Sequence, residues 1–113
     1  MTPLIDILLP VYNGGKYLTE QLESLERQTF SHFRLIANDD GSEDDSVAIL
    51  ERFFARSSIN GCLIRQQENT GIGNAVNALL EKSTAPYVMF CDQDDVWFDD
   101  KIEKSLKKMR ENE

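Results

Sequence analysis

The sequence predicts an α/β fold, with a parallel sheet of about four strands flanked by helices. Short apolar runs alternate along the chain with longer segments in which apolar residues recur at helical spacing. Strands separated by helices pair in parallel through right-handed crossovers, so the alternation favours a single parallel sheet. The four predicted strands are Ile5–Leu9, Phe33–Ala37, Cys62–Gln66 and Tyr87–Cys91.

The first strand and the first helix have clear patterns. Ile5–Leu9 is a nearly continuous apolar run, which is typical of a strand buried on both faces. A turn follows at Val11–Gly15. Lys16–Gln28 is predicted to be an amphipathic helix, because one of its faces carries Leu18, Leu22 and Leu25.

The second strand runs into an acidic cluster, Asp39-Asp40-Gly41-Ser42 with Asp44 and Asp45. The strand is expected to stop at Asn38, just before this cluster. Ser42 is expected to cap the next helix, and acidic residues in the first turn suit the positive end of the helix dipole. The helix is predicted to reach about Arg56, with its buried face formed by Val47, Leu50 and Phe54.

The second half of the chain continues the same alternation. Asn69-Thr70-Gly71-Ile72-Gly73 leads from the third strand into a helix predicted at Asn74–Lys82, with Val76, Leu79 and Leu80 apolar. The fourth strand runs into a second acidic cluster, Asp92-Gln93-Asp94-Asp95. The last helix is predicted at Asp99–Arg110, and its inward residues are expected to be Ile102, Leu106 and Met109.

Composition and charge narrow the class of protein. A chain of 113 residues with 41% hydrophobic residues suits one domain spanning residues 1–113. The net charge of −8 argues against a nucleic-acid partner, which would require a basic stripe. The two cysteines lack metal-ligand spacing and are predicted to be buried thiols in a reduced, cytoplasmic setting. The basic residues of Lys101–Arg110 are predicted to form the solvated face of the last helix, and a membrane-surface role is the alternative.

Unusual polar residues follow every predicted strand. They are Tyr12-Asn13, Asp39-Asp40, Asn69-Thr70-Gly71 and Asp92 to Asp95. In parallel α/β sheets, ligands bind outside the carboxyl ends of the strands, near the point where strand order reverses. The sequence therefore predicts one site built from four loops.

The second acidic cluster suits a divalent cation. Asp92 and Asp94 lie two residues apart in extended chain, so their carboxylates are expected on the same side. Carboxylate oxygens favour Mg²⁺ or Mn²⁺, and a substrate diphosphate can complete the shell. The pairs Asp44-Asp45 and Asp99-Asp100 are instead expected to act at helix starts. Tyr12 is open to two interpretations, stacking against a flat base or plugging the sheet end.

Taken in order, these motifs resemble the family 2 glycosyltransferases of GT-A fold. The resemblance is carried by Ile7-Leu8-Leu9-Pro10-Val11-Tyr12-Asn13, Gln28-Thr29-Phe30, Asp39-Asp40-Gly41-Ser42, Asn69-Thr70-Gly71 and Asp92-Gln93-Asp94-Asp95. It covers essentially the whole chain and implies a Rossmann-like nucleotide-binding half. The Asp-Gln-Asp-Asp-Val-Trp form is similar to a bacterial branch described as rhamnosyltransferase-like, which builds surface polysaccharides.

The resemblance assigns roles to individual residues. It implies that Tyr12 and Asp40 contact the nucleotide base, that Asp92 lies near the ribose, and that Asp94, with Asp92, binds the metal held by the donor diphosphate. The nucleotide-sugar site is expected to comprise Pro10, Tyr12, Asn13, Asp39, Asp40, Asn69, Gly71 and Asp92. The implied reaction moves a sugar from a nucleoside diphosphate to an acceptor hydroxyl, typically with inversion.

Two departures from the family pattern matter. Relatives often carry an arginine in the third helix, where this chain has Val76. The family's catalytic base and acceptor pocket lie in a C-terminal half, and no residue of this chain matches that base. We therefore expect a domain truncated before the acceptor-binding half, which binds donor and metal but transfers sugar poorly by itself.

The expected partners are a nucleotide-diphosphate sugar and a glycan or lipid-linked glycan acceptor. Peripheral association with the inner face of the membrane and a homodimer are further expectations.

Other functions stay open. A sugar-nucleotide pyrophosphorylase would need a glycine- and arginine-rich loop after the first strand. A phosphoacceptor receiver would need an acidic pair there, where this chain has Tyr12-Asn13. A non-catalytic nucleotide-sugar-binding or interaction domain is the remaining alternative.

Overall fold

A computed structural model of the protein describes residues 3–92 and 94–111; Gln93 of the second acidic cluster lies outside the described residues. Within these ranges four strands alternate with four helices. The elements are β1 (Ile5–Val11), α1 (Gly15–Glu26), β2 (Phe33–Asp40), α2 (Ser46–Arg56), β3 (Asn60–Gln66), α3 (Ile72–Lys82), β4 (Tyr87–Phe90) and α4 (Lys101–Glu111). The strands form one parallel sheet in the order β3-β2-β1-β4, which confirms the predicted α/β class.

The strand order creates a crevice beside the central strand. β1 pairs with β2 on one side and with β4 on the other. The chain runs outward from β1 to β2 and β3 and then crosses back to β4, so the strand order reverses beside β1. At such a switch point the loops after two neighbouring strands separate and leave room for a ligand. The carboxyl ends of β1 and β4 therefore flank the expected binding position.

Side chains of alternate strand residues contribute to two apolar clusters, one on each face of the sheet. On one face Ile5, Ile7 and Leu9 pack with residues of α1, α2 and α4. On the other face Leu8 packs with Ile36 and with Leu79 of α3. β1 is buried along its whole length, as its apolar run predicts. No helix in the described part of the chain is long and apolar enough to cross a bilayer.

The first acidic cluster is organised differently from the prediction. β2 continues three residues past Ala37, because β3 supplies ladder partners as far as Asp40. The prediction that Ser42 caps α2 is wrong, since α2 begins at Ser46. The Ser42 hydroxyl instead donates to the carboxylate of Asp39 at 2.6 Å. Its oxygen, the atom that would cap a helix by accepting an N–H bond, accepts the Asn13 N–H at 2.8 Å.

The buried faces of two helices are rotated from those predicted. In α2 the buried side chains are Ser46, Ile49, Leu50 and Phe53. In α3 they are Ala75 and Leu79, whereas Leu80 is 46% exposed. A change of one position in the inward set corresponds to a rotation of about 100° around the helix axis, and the packing of the helix against the sheet decides that rotation. Cys91 is buried as predicted, but Cys62 is only partly buried.

Asp6 is fully buried at the amino end of β1. Its carboxylate accepts bonds from Arg34 Nε at 2.9 Å and Nη2 at 3.0 Å, and from the Ser83 hydroxyl at 2.7 Å. The backbone N–H groups of Thr84 and Ala85 donate to it at 2.8 and 3.0 Å. Burial opposes ionisation, but these donors outweigh it and lower the pKa of Asp6 to about 2. The carboxylate thus joins β1, β2 and the loop before β4.

Candidate functional site

A cavity of about 220 Å³ opens at the carboxyl edge of the sheet. The loops after all four strands, together with the start of α3, contribute to its walls. It is lined by Pro10, Val11, Tyr12, Asp40, Asn69, Gly71, Ile72, Ala75 and Asp92. Six of the eight residues expected to hold a nucleotide sugar lie in this set, and the other two, Asn13 and Asp39, do not. The convergence expected from the sequence is therefore present in the fold.

Asp40 lies at the end of β2 and is only 4% exposed. Its Oδ1 accepts bonds from the Thr70 N–H at 3.0 Å and the Thr70 hydroxyl at 2.7 Å, and its Oδ2 from the Gly71 N–H at 2.9 Å. Burial opposes ionisation, but these bonds from Thr70 and Gly71 prevail and lower the pKa of Asp40. An ionised Asp40 thus fixes the loop between β3 and α3 against one wall of the cavity.

Asp39 and Asn13 lie behind the cavity wall and join two loops to each other. Asp39 is 1% exposed, and its carboxylate accepts bonds from the backbone and hydroxyl of Ser42. Asn13 donates its N–H to the Ser42 hydroxyl at 2.8 Å and accepts the Glu43 N–H at 2.8 Å. These contacts hold the loops after β1 and β2 together, and the predicted contact of both residues with a ligand stays a prediction.

Asp44 bonds the starts of α1 and α2. It accepts the Gly15 N–H at 3.0 Å and the Ser46 N–H at 2.9 Å, and also the Ser46 hydroxyl. The Ser46 hydroxyl bond, opposed by burial and aided by the backbone donors, lowers the pKa of Asp44. Asp45 occupies the N-cap position of α2 but makes no capping bond, so the predicted cap is provided by its neighbour instead.

The carboxylates of the second acidic cluster face solvent. Asp92 is exposed and lines the cavity, and the Asp95 N–H donates to its carbonyl at 3.1 Å. Asp94 is exposed and adopts a positive φ of 82°, which is uncommon outside glycine. Among residues 3–92 and 94–111, no three His, Cys, Asp or Glu side chains form a metal-binding group. The donor set fits a cation that takes one or two protein carboxylates and its remaining ligands from a diphosphate and water.

Two glycines shape the loops around the cavity. Gly41 has φ +75°, and a Cβ there would lie 2.6 Å from the backbone carbon of Glu68. The turn after Asp40 thus packs too closely against the β3–α3 loop for any larger residue. Gly71 has φ +93°, and a Cβ there would meet no atom within 4 Å, so this backbone borders open space.

The cavity also contains three apolar residues that the sequence analysis did not select. Val11, Ile72 and Ala75 line it beside the polar groups, and Ile72 is 69% exposed. The sequence does contain a signal for Ile72, because a large apolar residue between two glycines at the start of a helix is poorly placed to pack in the core. Together they give the cavity an apolar wall opposite Asp92, which suits a ligand with both a flat and a charged part.

The fold and the cavity define a parallel α/β domain with a ligand site at its topological switch point. The family model described as "Glycosyl transferase family 2" matches residues 6–113, so the chain belongs to this family. The resemblance inferred from the motifs is thereby confirmed.

Individual relatives agree with this assignment. The chain is 37% identical over 110 residues to an uncharacterized glycosyltransferase of Haemophilus influenzae, covering 97% of this chain and 44% of the relative. It is 34% identical over 112 residues to a chondroitin synthase of Escherichia coli, covering 97% of this chain and 16% of that protein. The chain therefore spans less than half the length of these relatives.

A solved structure supports the fold independently. TarS of S. aureus in complex with UDP superposes with a TM-score of 0.85 at 28% identity. The match covers 95% of this chain and 32% of that one. The same protein has been solved with UDP-GlcNAc, again with a TM-score of 0.85.

Proposed function

We propose that this domain binds the nucleoside-diphosphate sugar donor of a family 2 glycosyltransferase. The observation that carries the proposal is the cavity at the switch point, which is lined by Tyr12 after β1, Asp40 at the end of β2 and Asp92 after β4. Family membership and the UDP complex of TarS support the ligand class. The apolar wall suits a nucleoside, and the exposed carboxylates suit a diphosphate that carries a metal ion. A diphosphate without a metal ion would be repelled by these carboxylates.

Within this proposal each residue has a distinct task. The ring of Tyr12 and the apolar residues Val11 and Ile72 contact the base. Asp40 orders the Asn69–Gly71 loop, whose backbone borders the nucleotide. Asp92 lies toward the ribose and, with Asp94, provides carboxylate oxygens for Mg²⁺ or Mn²⁺. A cation bound there would neutralise the charge that develops on the departing diphosphate.

The reaction of the whole protein follows from this chemistry. An acceptor hydroxyl oxygen bonds to the anomeric carbon while the bond from that carbon to the diphosphate oxygen breaks, which inverts the configuration. The catalytic base that takes the hydroxyl proton and the acceptor pocket are assigned to the remainder of the protein. The chondroitin synthase relative supports a glycan product, so we assign the whole protein to surface polysaccharide synthesis with a glycan or lipid-linked glycan acceptor.

We place the protein in the cytoplasm, in peripheral contact with an anionic membrane surface through α4. Four of the six lysines of the chain lie in this helix. Lys101, Lys104 and Lys108 line one groove together with Phe98, which is 86% exposed, and with Asp100, which pairs with Lys104 at 3.0 Å. Each lysine near an anionic surface contributes about 1 kcal/mol. A lipid-linked acceptor would make such contact useful.

Ligand binding provides the direct test. Titrating the chain with UDP, dTDP and GDP, with and without Mn²⁺, is expected to raise the melting temperature for at least one nucleotide, most strongly with the metal. At a concentration 100-fold above Kd the stabilisation is about 2.7 kcal/mol, which shifts Tm by several degrees. Calorimetry then gives the affinity with and without metal.

Aspartate variants show whether the site is the one proposed. Asp92→Asn is expected to weaken Mn²⁺-dependent nucleotide binding by at least about 10-fold, since even outer-shell partners of metal sites have effects of this size. Asp99→Asn is the matched control, because Asp99 is exposed and its 3.5 Å pair with Arg27 lies on the surface. Absence of binding by all three nucleotides, or unchanged binding by both Asp92→Asn and Asp94→Ala, would contradict the proposal.

A further inference from the structure

The described residues between β4 and α4, a segment that carries the exposed carboxylates of the site, lie in no helix or strand. Backbone N–H and C=O groups in such a segment need partners wherever they are buried. Here those partners come from side chains of α1. Gln21, Ser24 and Gln28 form a polar row along the inner side of this helix and its C-terminal end, and they are 0%, 0% and 8% exposed.

Each member of the polar row holds a different part of the segment. Ser24 Oγ accepts the Trp97 N–H at 3.2 Å. Gln28 Nε2 donates to the Phe98 carbonyl at 2.7 Å. Its Oε1 accepts the N–H of Ile102, the second residue of α4, at 3.0 Å. These two side chains fix the part of the segment nearest to α4.

Gln21 holds the other end, at the cavity. Its Nε2 donates to the carbonyl oxygen of Asp92 at 2.5 Å and to Cys91 Sγ at 3.3 Å. Asp92 itself lines the cavity. Gln21 therefore holds, by a hydrogen bond, the backbone of a residue that lines the proposed donor site.

We propose that Gln21 is a positioning residue for Asp92, setting the place of its carboxylate relative to the donor's metal. This inference rests on the proposed donor-binding function. Since Gln21 does not reach the cavity, it acts through the Asp92 backbone and not on the ligand. Among the described residues, the hydrogen bond left to the Asp92 carbonyl without this donor would be that from the Asp95 N–H, which lies in an exposed loop.

Gln21→Met retains the size and helical preference of the side chain but removes the donor. We expect the gain in UDP affinity that Mn²⁺ provides to fall by about 10-fold, the effect typical of groups that orient metal ligands. Affinity for UDP without metal should change little. Glu20→Met is the matched control, because it makes the same replacement at the neighbouring exposed position of α1.

Gln28→Met separates positioning from general stability. It removes three bonds to backbone groups, those of Ser24, Phe98 and Ile102, and none to Asp92. It should therefore lower the melting temperature and yet leave the Mn²⁺-dependent gain near that of the unaltered chain. If Gln21→Met does not fold, Gln21→Leu reports the same loss of the donor. Amide hydrogen exchange at Asp95, whose N–H shares the Asp92 carbonyl, is expected to accelerate severalfold in the Gln21 variant without any ligand.

The outcomes distinguish this inference from the proposed function. If the unaltered chain shows no Mn²⁺-dependent binding of UDP, dTDP or GDP, the proposed function fails. If it does, but Gln21→Met retains the full gain or Gln28→Met loses as much of it, the positioning role is refuted. Unchanged exchange at Asp95 in the Gln21 variant also refutes it, whatever the ligand results.

Discussion

Replacing Asp6 by asparagine tests a buried carboxylate that accepts five hydrogen bonds. Four donors converge on Oδ2, from Arg34 Nη2, Ser83, Thr84 and Ala85, and Arg34 Nε donates to Oδ1. Whichever way the new amide turns, its NH₂ group faces a donor. Breaking a buried ion pair from one side typically costs 3–5 kcal/mol. Because Arg34 is 25% exposed and can recover some hydration, we expect a loss of about 3 kcal/mol.

The pH dependence gives a second, independent magnitude. The pKa of Asp6 falls from 3.8 to about 2 on folding, which corresponds to about 2 kcal/mol at 1.36 kcal/mol per pKa unit. A lowered folded-state pKa contributes stability above pH 4 that is lost as pH falls toward 2. Asp6→Asn lacks this contribution. The difference in unfolding free energy between the two proteins should therefore shrink by about 2 kcal/mol from pH 5 to pH 2.

Urea unfolding at several pH values from 5 to 2 measures both quantities. Trp97 is the only tryptophan and is 7% exposed, so its fluorescence reports unfolding, and circular dichroism provides the second probe. Asp99→Asn should stay within about 0.5 kcal/mol of the unaltered chain. A loss below 1 kcal/mol for Asp6→Asn, or parallel pH profiles for the two proteins, would refute the reasoning about this network.

Three further predictions concern the loops and the surface. Gly41→Ala should destabilise the fold by more than about 1 kcal/mol, whereas Gly73→Ala should stabilise it by about 0.5–1 kcal/mol, because Gly73 is a helix position with open space around it. Equal effects of the two substitutions on the unfolding free energy in chemical denaturation would contradict this. Asp40→Asn should cost about 1–3 kcal/mol and accelerate amide exchange at Thr70, and unchanged exchange there would be inconsistent with the bonds described. The chain should sediment with anionic but not neutral vesicles, and a Lys104→Glu/Lys108→Glu variant should remain in the supernatant.

Much of the site could be predicted because its residues follow strands. The apolar runs of β1 and β4 identify these strands, and parallel pairing brings the residues after them to the same edge. Pro10, Tyr12 and Asp92 therefore line one cavity although more than 80 residues separate Pro10 from Asp92. Local pattern and a topological rule were sufficient for this part.

In the first acidic cluster, the sequence could not show which aspartate lines the cavity and which bonds the neighbouring loop. Asp39 and Asp40 are adjacent and chemically identical, but successive strand residues point to opposite faces. Asp40 consequently reaches Thr70 and the cavity, while Asp39 turns to Ser42. The prediction of Ser42 as a cap failed for a related reason, because the partners of its hydroxyl, the Asp39 carboxylate and the Asn13 N–H, depend on how the chain turns at Gly41.

The sequence by itself determined the parallel α/β class, the family, and the edge of the sheet at which the cavity lies, since these depend on periodicity and on motifs in a fixed order. Only the tertiary structure decided which polar residues face the cavity and which hold the loops behind it. The burial of Asp6 and the grip of Gln21 on Asp92 join residues 28 to 79 positions apart. Such partnerships arise because buried polar groups must find donors or acceptors wherever packing brings them, and no local pattern records that choice.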